Sequence, residues 1–248
     1  MPSKDTRFAW IDTETSGLGI FKRTDGSEYT DFSKHVIIEV AVQVTDGDLN
    51  PIDTFEAKIR MTPEQRANAE PKALEVNGWS EEAWADAVEG DYALWNRVRK
   101  MTDRCILAGQ NIIDFDAPRV RHAMAVHKLR PFWDRRMLDT MTIGMMAMHY
   151  YDIRHPQTGR PTAGLEFVYD ALGGPKLPAH RAMADVKRAQ YVYKVAYEGF
   201  VRARVGLAVT EPPPAADGVD VLAPARASAQ LLAEGFDGTG ATAHRDES

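Results

Sequence analysis

The sequence predicts an α/β fold, one mixed sheet flanked by helices. Two observations carry this. Strand-like apolar runs joined by short turns fill the chain up to Ile59, and helical periodicity takes over after it. One short apolar run, Cys105 to Ala108, then interrupts the helices. Strands first, helices after, and a helix–strand–helix segment between them place helices against a single mixed sheet.

Arg7 to Asp12 reads as a short buried strand ending in an acid, and Gly17 marks the exit from it. Residues 19–34 are polar and read as a loop or small hairpin. Val36 to Thr45 gives the strongest strand signal. Asp46 to Pro51 is a turn, and Ile52 to Ile59 is a third strand. Short connections between the three favour antiparallel pairing. Pro71 to Asn77 is a short helix stopped by Gly78. Ser80, followed by Glu81 and Glu82, reads as an N-cap opening a helix to about Val88. Residues 91–103 form the next helix. Pro118 suits the first turn of a helix running to about His127. Leu138 to His149 is a Met-rich helix, Tyr150 to Ala163 a loop, and Gly164 to Leu172 a short helix. The last helix runs from about Ala182 to Arg204. Ala182, Val186, Ala189, Tyr193, Ala196 and Phe200 recur on it at steps of three and four, an apolar stripe that packs on a core.

The chain has 248 residues, 44% of them apolar and 27% charged. This suits one domain of about 200 residues with a sizeable core, followed by a tail. From about Val209 the composition turns to Pro, Ala, Gly and Asp, which predicts disorder over 206–248, with a short helix at Ala225 to Phe236 as the one candidate element. The sequence shows no internal repeat, no apolar run of membrane-spanning length, and no secretory signal before the first strand. Cys105 is the single cysteine, which excludes an intrachain disulfide and a thiolate metal cage. A reducing, cytoplasmic setting follows. The net charge of −6 argues against a protein that coats DNA non-specifically. It leaves room for a metal-dependent nuclease, because bound dications offset site carboxylates.

Asp12 and Glu14 are two apart in a strand, so both carboxylates point to one face. Asp116 follows the strand at 105–108 and reads either as a helix N-cap or as a third site acid. Asp114 is its rival, and Asn111 holds the loop or touches substrate. His180 and Asp185 lie five apart, which keeps them off one helix face. His180 belongs to the loop before the last helix, and Asp185 to its first turn. These acids come from three elements, each at an element end, where sites on open α/β sheets sit. Carboxylates without cysteine suit hard Mg²⁺ or Mn²⁺. Two such ions, about 3.5–4 Å apart, form a clamp for in-line displacement at phosphorus. A histidine titrates near neutral pH and can take the attacking water's proton.

These residues resemble a known family, the DEDDh 3′–5′ exonucleases of the ribonuclease-H-like superfamily. Asp12-Thr13-Glu14-Thr15-Ser16-Gly17-Leu18 resembles the first motif, and Val36 to Ala41 the strand after it. Gly109-Gln110-Asn111 with Phe115-Asp116 resembles the second, and His180 to Val186 the third. The resemblance implies a ribonuclease-H-like mixed five-stranded sheet over residues 1–205. It implies Asp12, Glu14, Asp116 and Asp185 as ligands of two Mg²⁺ or Mn²⁺ ions, and His180 as general base. It also implies a pocket for the 3′-terminal nucleotide, with Thr15 offering backbone and Leu18 packing on the base. Phe115 would stack on a base or pack in the core. Arg119, Arg121 and Arg181 would meet phosphates or form solvated faces.

Three residues separate Asn111 from Phe115, and the run Ala-Met-Ala-Asp-Val follows Arg181. Both resemble exonuclease I, a single-strand DNA exonuclease. The expected function is therefore metal-dependent 3′–5′ hydrolysis of single-stranded DNA to 5′-mononucleotides. Val44-Thr45-Asp46 and Leu49-Asn50 instead resemble the oligoribonucleases, which gives short RNA as an alternative substrate. A reading from another class is a proofreading or binding module that docks on a polymerase through the tail.

Overall fold

The computed structural model describes residues 5–178 and 180–204. The predicted tail, with its candidate helix at Ala225 to Phe236, lies outside the described residues.

A five-stranded mixed sheet forms the centre. Its strands are β1 (Phe8–Thr15), β4 (Ile37–Thr45), β5 (Pro51–Lys58), β6 (Ile106–Gly109) and β7 (Met137–Asp139), in the order β5-β4-β1-β6-β7. β1, β4 and β5 pair antiparallel as predicted; the connection from β4 to β5 is short, whereas residues 16–36 separate β1 from β4. β6 joins parallel to β1, and β7 parallel to β6. A separate hairpin, β2 (Ile20–Lys22) with β3 (Glu28–Thr30), occupies the insertion between β1 and β4.

The period of two along β1 decides what each helix layer receives. Phe8 and Trp10 face one layer, where they meet Ala182, Val186, Ala189 and Tyr193 of α7 (Ala182–Arg204). Ala9 and Ile11 face the other. There they join Leu94, Trp95 and Val98 of α3 (Tyr92–Met101) and Ala117, Val120 and Met124 of α4 (Asp116–Val126). The predicted α7 stripe is buried from Ala182 to Ala196; the side chain of Phe200 lies outside the described ones. α5 (Thr140–Tyr150) and α6 (Leu165–Ala171) pack on α7 through Met148, Val168, Leu172 and Val192.

Three expectations change. The run at 80–88 is a chain of turns and not a helix. Ser80 does cap, with its Oγ accepting from the Ala83 N–H at 3.0 Å. Tertiary bonds then take over: the Trp84 indole donates to the Ile38 carbonyl, and Val88 donates to Lys58. These draw the segment along the end of the sheet. The Met-rich helix begins at Thr140 because Met137 to Asp139 serve as β7. α1 (Pro63–Asn68) is an additional short helix, opened by a capping box between Thr62 and Gln65, and precedes α2 (Pro71–Val76).

Gly109 ends β6 where it runs closest to the acid-bearing strand. A Cβ there would stand 2.5 Å from the Ile11 carbonyl oxygen, which is backbone and cannot swing away. Gly109→Ala is expected to lower stability by about 1–3 kcal/mol, read as a reduced urea midpoint with an unchanged slope.

Candidate active site

The alternation that builds the core also builds the site. Asp12 and Glu14 continue the row of Phe8 and Trp10, so they face α7. Asp185 lies in the first turn of α7. The carboxylates of Asp12, Glu14 and Asp185 each bring an oxygen within 4.8 Å of the other two. Thr13 points the opposite way, toward α4, and its Oγ1 donates to Asp116 Oδ1 at 2.7 Å. Asp116 is the first residue of α4 and does not cap it; Phe115 holds the cap position. Asp116 is only 1% exposed, whereas Asp114 is exposed. All four acids line one open cleft of about 500 Å³, together with His180 and Phe115.

His180 sits on the loop before α7 with a φ of +48° and an exposed ring. The left-handed backbone turns the chain sharply just before α7 begins. The remaining predicted residues lie outside the cleft. Thr15 is buried; its hydroxyl donates to the Gly17 carbonyl, and its own carbonyl accepts from Asn77 Nδ2 at 2.9 Å. Leu18 is 54% exposed beyond it. Asn111 has a φ of +51°, and its N–H donates to Asp139 Oδ1. It shapes the turn between β6 and α4.

Burial, with neighbouring charge added, sets the protonation of the acids. Burial drives the Asp12 carboxyl well above its usual range, and the charges of Asp116, Asp185 and Glu14 add to the rise. Glu14 is pushed up to about 7 by burial and then by Asp185. Asp116 is pushed up to about 7 by burial, against the pull of the Thr13 hydrogen bond. Burial also raises Asp185, which Arg188 partly offsets. Such a set is uncomfortable without cations and well suited to hard ones.

Several residues at this site carried no signal as site residues in the sequence. Arg188, 3% exposed, gives Nη1 to Asp185 Oδ1 at 2.7 Å and to the Pro178 carbonyl at 2.9 Å, and Nη2 to the Leu177 carbonyl at 2.9 Å. It thereby ties Asp185 to the segment that leads to His180. Its spacing of three from Asp185 on one helix was the available clue. Glu39, fully buried on β4 opposite Glu14, accepts twice from Arg181 through one oxygen. Arg181 is therefore held by protein carboxylate rather than being a solvated face. Arg119 is buried. It bonds the Leu18 and Phe115 carbonyls and lies 3.6 Å from the Phe115 ring centre. Arg121 remains exposed, over Trp133. Gln110, His155, Thr162, Glu166 and Phe167 complete the cleft wall.

Fold and site together define a sheet-end cluster of carboxylates with an adjacent imidazole. Comparison with known proteins agrees. The family model described as "Exonuclease", of the RNase T type, matches residues 9–193. The chain belongs to this exonuclease family. An oligoribonuclease of Corynebacterium glutamicum is 28% identical over 194 residues, covering 74% of this chain and 75% of the relative. Among solved structures, a product-bound exonuclease I superposes with a TM-score of 0.62 at 19% identity, covering 81% of this chain. Escherichia coli exonuclease I in complex with a dT13 oligonucleotide gives 0.61 at 20% identity, covering 82%. The chain spans less than half the length of these exonuclease I chains, 44% and 43%. The likeness establishes the ribonuclease-H-like fold. Among the described residues no helix is long and apolar enough to cross a membrane.

The raised carboxyls give a pH test. A carboxyl whose folded pKa lies above its unfolded value holds extra protons in the folded state, so it costs stability as pH rises through that window. For Glu14 and Asp116 the window runs from the ordinary carboxylate range to about 7. In chelator, the melting temperature should fall between pH 5 and pH 8. Adding Mg²⁺ or Mn²⁺ should raise it more at pH 8 than at pH 5. A metal effect equal at both pH values contradicts the coupling.

Proposed function

We propose that the protein is a metal-dependent 3′–5′ exonuclease that hydrolyses single-stranded nucleic acid, DNA in the first instance, to 5′-mononucleotides. The observation that carries this is the meeting of Asp12, Glu14 and Asp185 within 4.8 Å in a cleft shared with Asp116 and His180. Asp12, Glu14, Asp116 and Asp185 would hold two divalent cations, Mg²⁺ or Mn²⁺. When bound, these would supply an acidified water and charge stabilisation at phosphorus.

The chain's own groups do the rest. His180, on an exposed loop beside the cluster, takes the proton of the attacking water. The buried Asp116, fixed by Thr13, keeps its carboxylate turned into the cleft. Arg188 holds Asp185 and the Leu177–Pro178 segment in one frame, so that the base and the acids stay in register. Phe115 borders the cleft and offers a surface for a terminal base. Thr15, Leu18 and Asn111 lie outside the cleft and take part only as its supports or outer rim.

The DNA reading rests on the spacing from Asn111 to Phe115 and on the fold shared with exonuclease I. A second reading is short RNA. It is favoured by the oligoribonuclease relative, which aligns over three quarters of both chains. A docking role through the tail concerns residues outside the described ones, and no described contact supports it.

The test offers matched end-labelled DNA and RNA single strands with Mg²⁺. Release of mononucleotides from the 3′ end of DNA faster than from RNA supports the first reading; the reverse replaces it with the second. Asp12→Ala and Asp185→Ala should abolish cleavage in a folded protein, and His180→Ala should lower kcat by about 10²–10⁴-fold. Full metal-dependent activity in both aspartate variants would overturn the site.

A further inference from the structure

The cleft has a second wall that none of the motifs contains. It comes from the loop after α5 and the first turn of α6. His155 and Phe167 stand there with ring centres 5.1 Å apart and planes tilted by 46°, and both line the cleft that holds the four acids. The pair is built rather than incidental. Backbone bonds from His155 N–H to the Arg160 carbonyl at 2.9 Å and from Gly159 N–H to the His155 carbonyl at 2.8 Å close the turn. The His155 Nδ1 accepts from the Gln157 N–H at 3.3 Å, which fixes the ring against its own loop.

The wall is also tied to the catalytic end of the sheet. Gln110, directly after β6, donates to the Ala163 carbonyl at 2.5 Å and accepts from Thr140 Oγ1 at 2.9 Å. One amide therefore spans β6, α5 and the loop. Phe167 is anchored from below by the cluster of Val168, Tyr169 and Leu172, whereas His155 is outside that cluster and only half-buried. Arg160 lies exposed at the other end of the same turn.

Phe115, on the same cleft, has only one ring face left for a base. The Phe115 ring is covered on one face by the Arg119 guanidinium, 3.6 Å from its centre. The geometry points to the His155–Phe167 pair as a stacking platform for a nucleobase of the bound strand. Aromatic rings with cations between them recognise single strands without regard to sequence, because every base presents a π-face. A paired base has its faces occupied within the duplex, so this platform favours single-stranded ends. The inference rests on the exonuclease reading for the identity of the ligand. Its mechanism is separate, since it concerns binding and not hydrolysis.

The experiment measures equilibrium binding of a fluorescent single strand by anisotropy, with Ca²⁺ replacing Mg²⁺ to suppress cleavage. His155→Ala is expected to weaken binding about tenfold, and His155→Phe to restore it. In Mg²⁺ the same variants should change KM and leave kcat within about twofold, as expected for loss of a binding contact. A strand with abasic positions at its 3′ end should bind wild type and His155→Ala alike. Phe167→Leu, which keeps apolar volume, should weaken binding without lowering the melting temperature by more than a few degrees. Unchanged affinity in His155→Ala overturns the platform. So does a His155→Phe variant as weak as His155→Ala, because the ring nitrogens and not its face would then matter. Wild-type binding without any cleavage in Mg²⁺ overturns the exonuclease reading and leaves the platform result standing. Failure of the wild type to bind any strand overturns both.

Discussion

The rest of the structure is arranged around carboxylates gathered in one cleft, where partial burial first and mutual repulsion second raise the cost of ionising them. Asp116 is buried and Asp12, Glu14 and Asp185 are half-buried, and neighbouring charge adds to the cost that burial places on ionising Asp12 and Glu14. No local preference of the chain would assemble them. They are held by elements whose apolar faces are buried elsewhere: β1 between two helix layers, α4 through Val120 and Met124, and α7 through Val186 and Ala189. Burial of these faces, at about 25 cal/mol per Å² of apolar surface, supplies the stability against which the acid cluster is set. The small residues Ala182 and Ala189 let α7 lie close to the sheet. Gly109 lets β6 approach the Ile11 carbonyl.

The paired cations follow from the same constraint. Arg188 answers Asp185, Arg181 answers Glu39, and Arg119 supplies carbonyl contacts at the base of the β2–β3 insertion. Each is committed to protein oxygen atoms before any substrate arrives. This ordering keeps the acids available to metal and leaves the imidazole of His180 exposed on its loop.

Much of this was legible in the sequence because it is periodic. The Val36–Thr45 run, the stripe of α7 and the two-residue step from Asp12 to Glu14 all report facing directly. Asp116 was separable from Asp114 by its motif, and the structure places the first inside and the second out. What was not legible depends on contacts between distant residues. Glu39 looked like one polar residue in an apolar strand until Arg181 was found against it, 142 residues away. The turns at 80–88 carry helix signals that Trp84 and Val88 override through bonds to other strands. His155 sat in a loop with no period at all, and only the bonds of Gln110 show why that loop belongs to the site.

Membership of the exonuclease family is consistent with all of these features, and the sequence relatives and the structural neighbours point toward different nucleic acids. The proposed function places either nucleic acid at the same cluster of Asp12, Glu14, Asp116 and Asp185. The most direct measurement is an anomalous difference map at the manganese edge from a crystal soaked in Mn²⁺. Density bridging Asp12, Glu14 and Asp185, with a second peak toward Asp116, is the predicted result. A well-ordered crystal whose acid cluster stays free of manganese at saturating Mn²⁺, while the four carboxylates keep their positions, would contradict it.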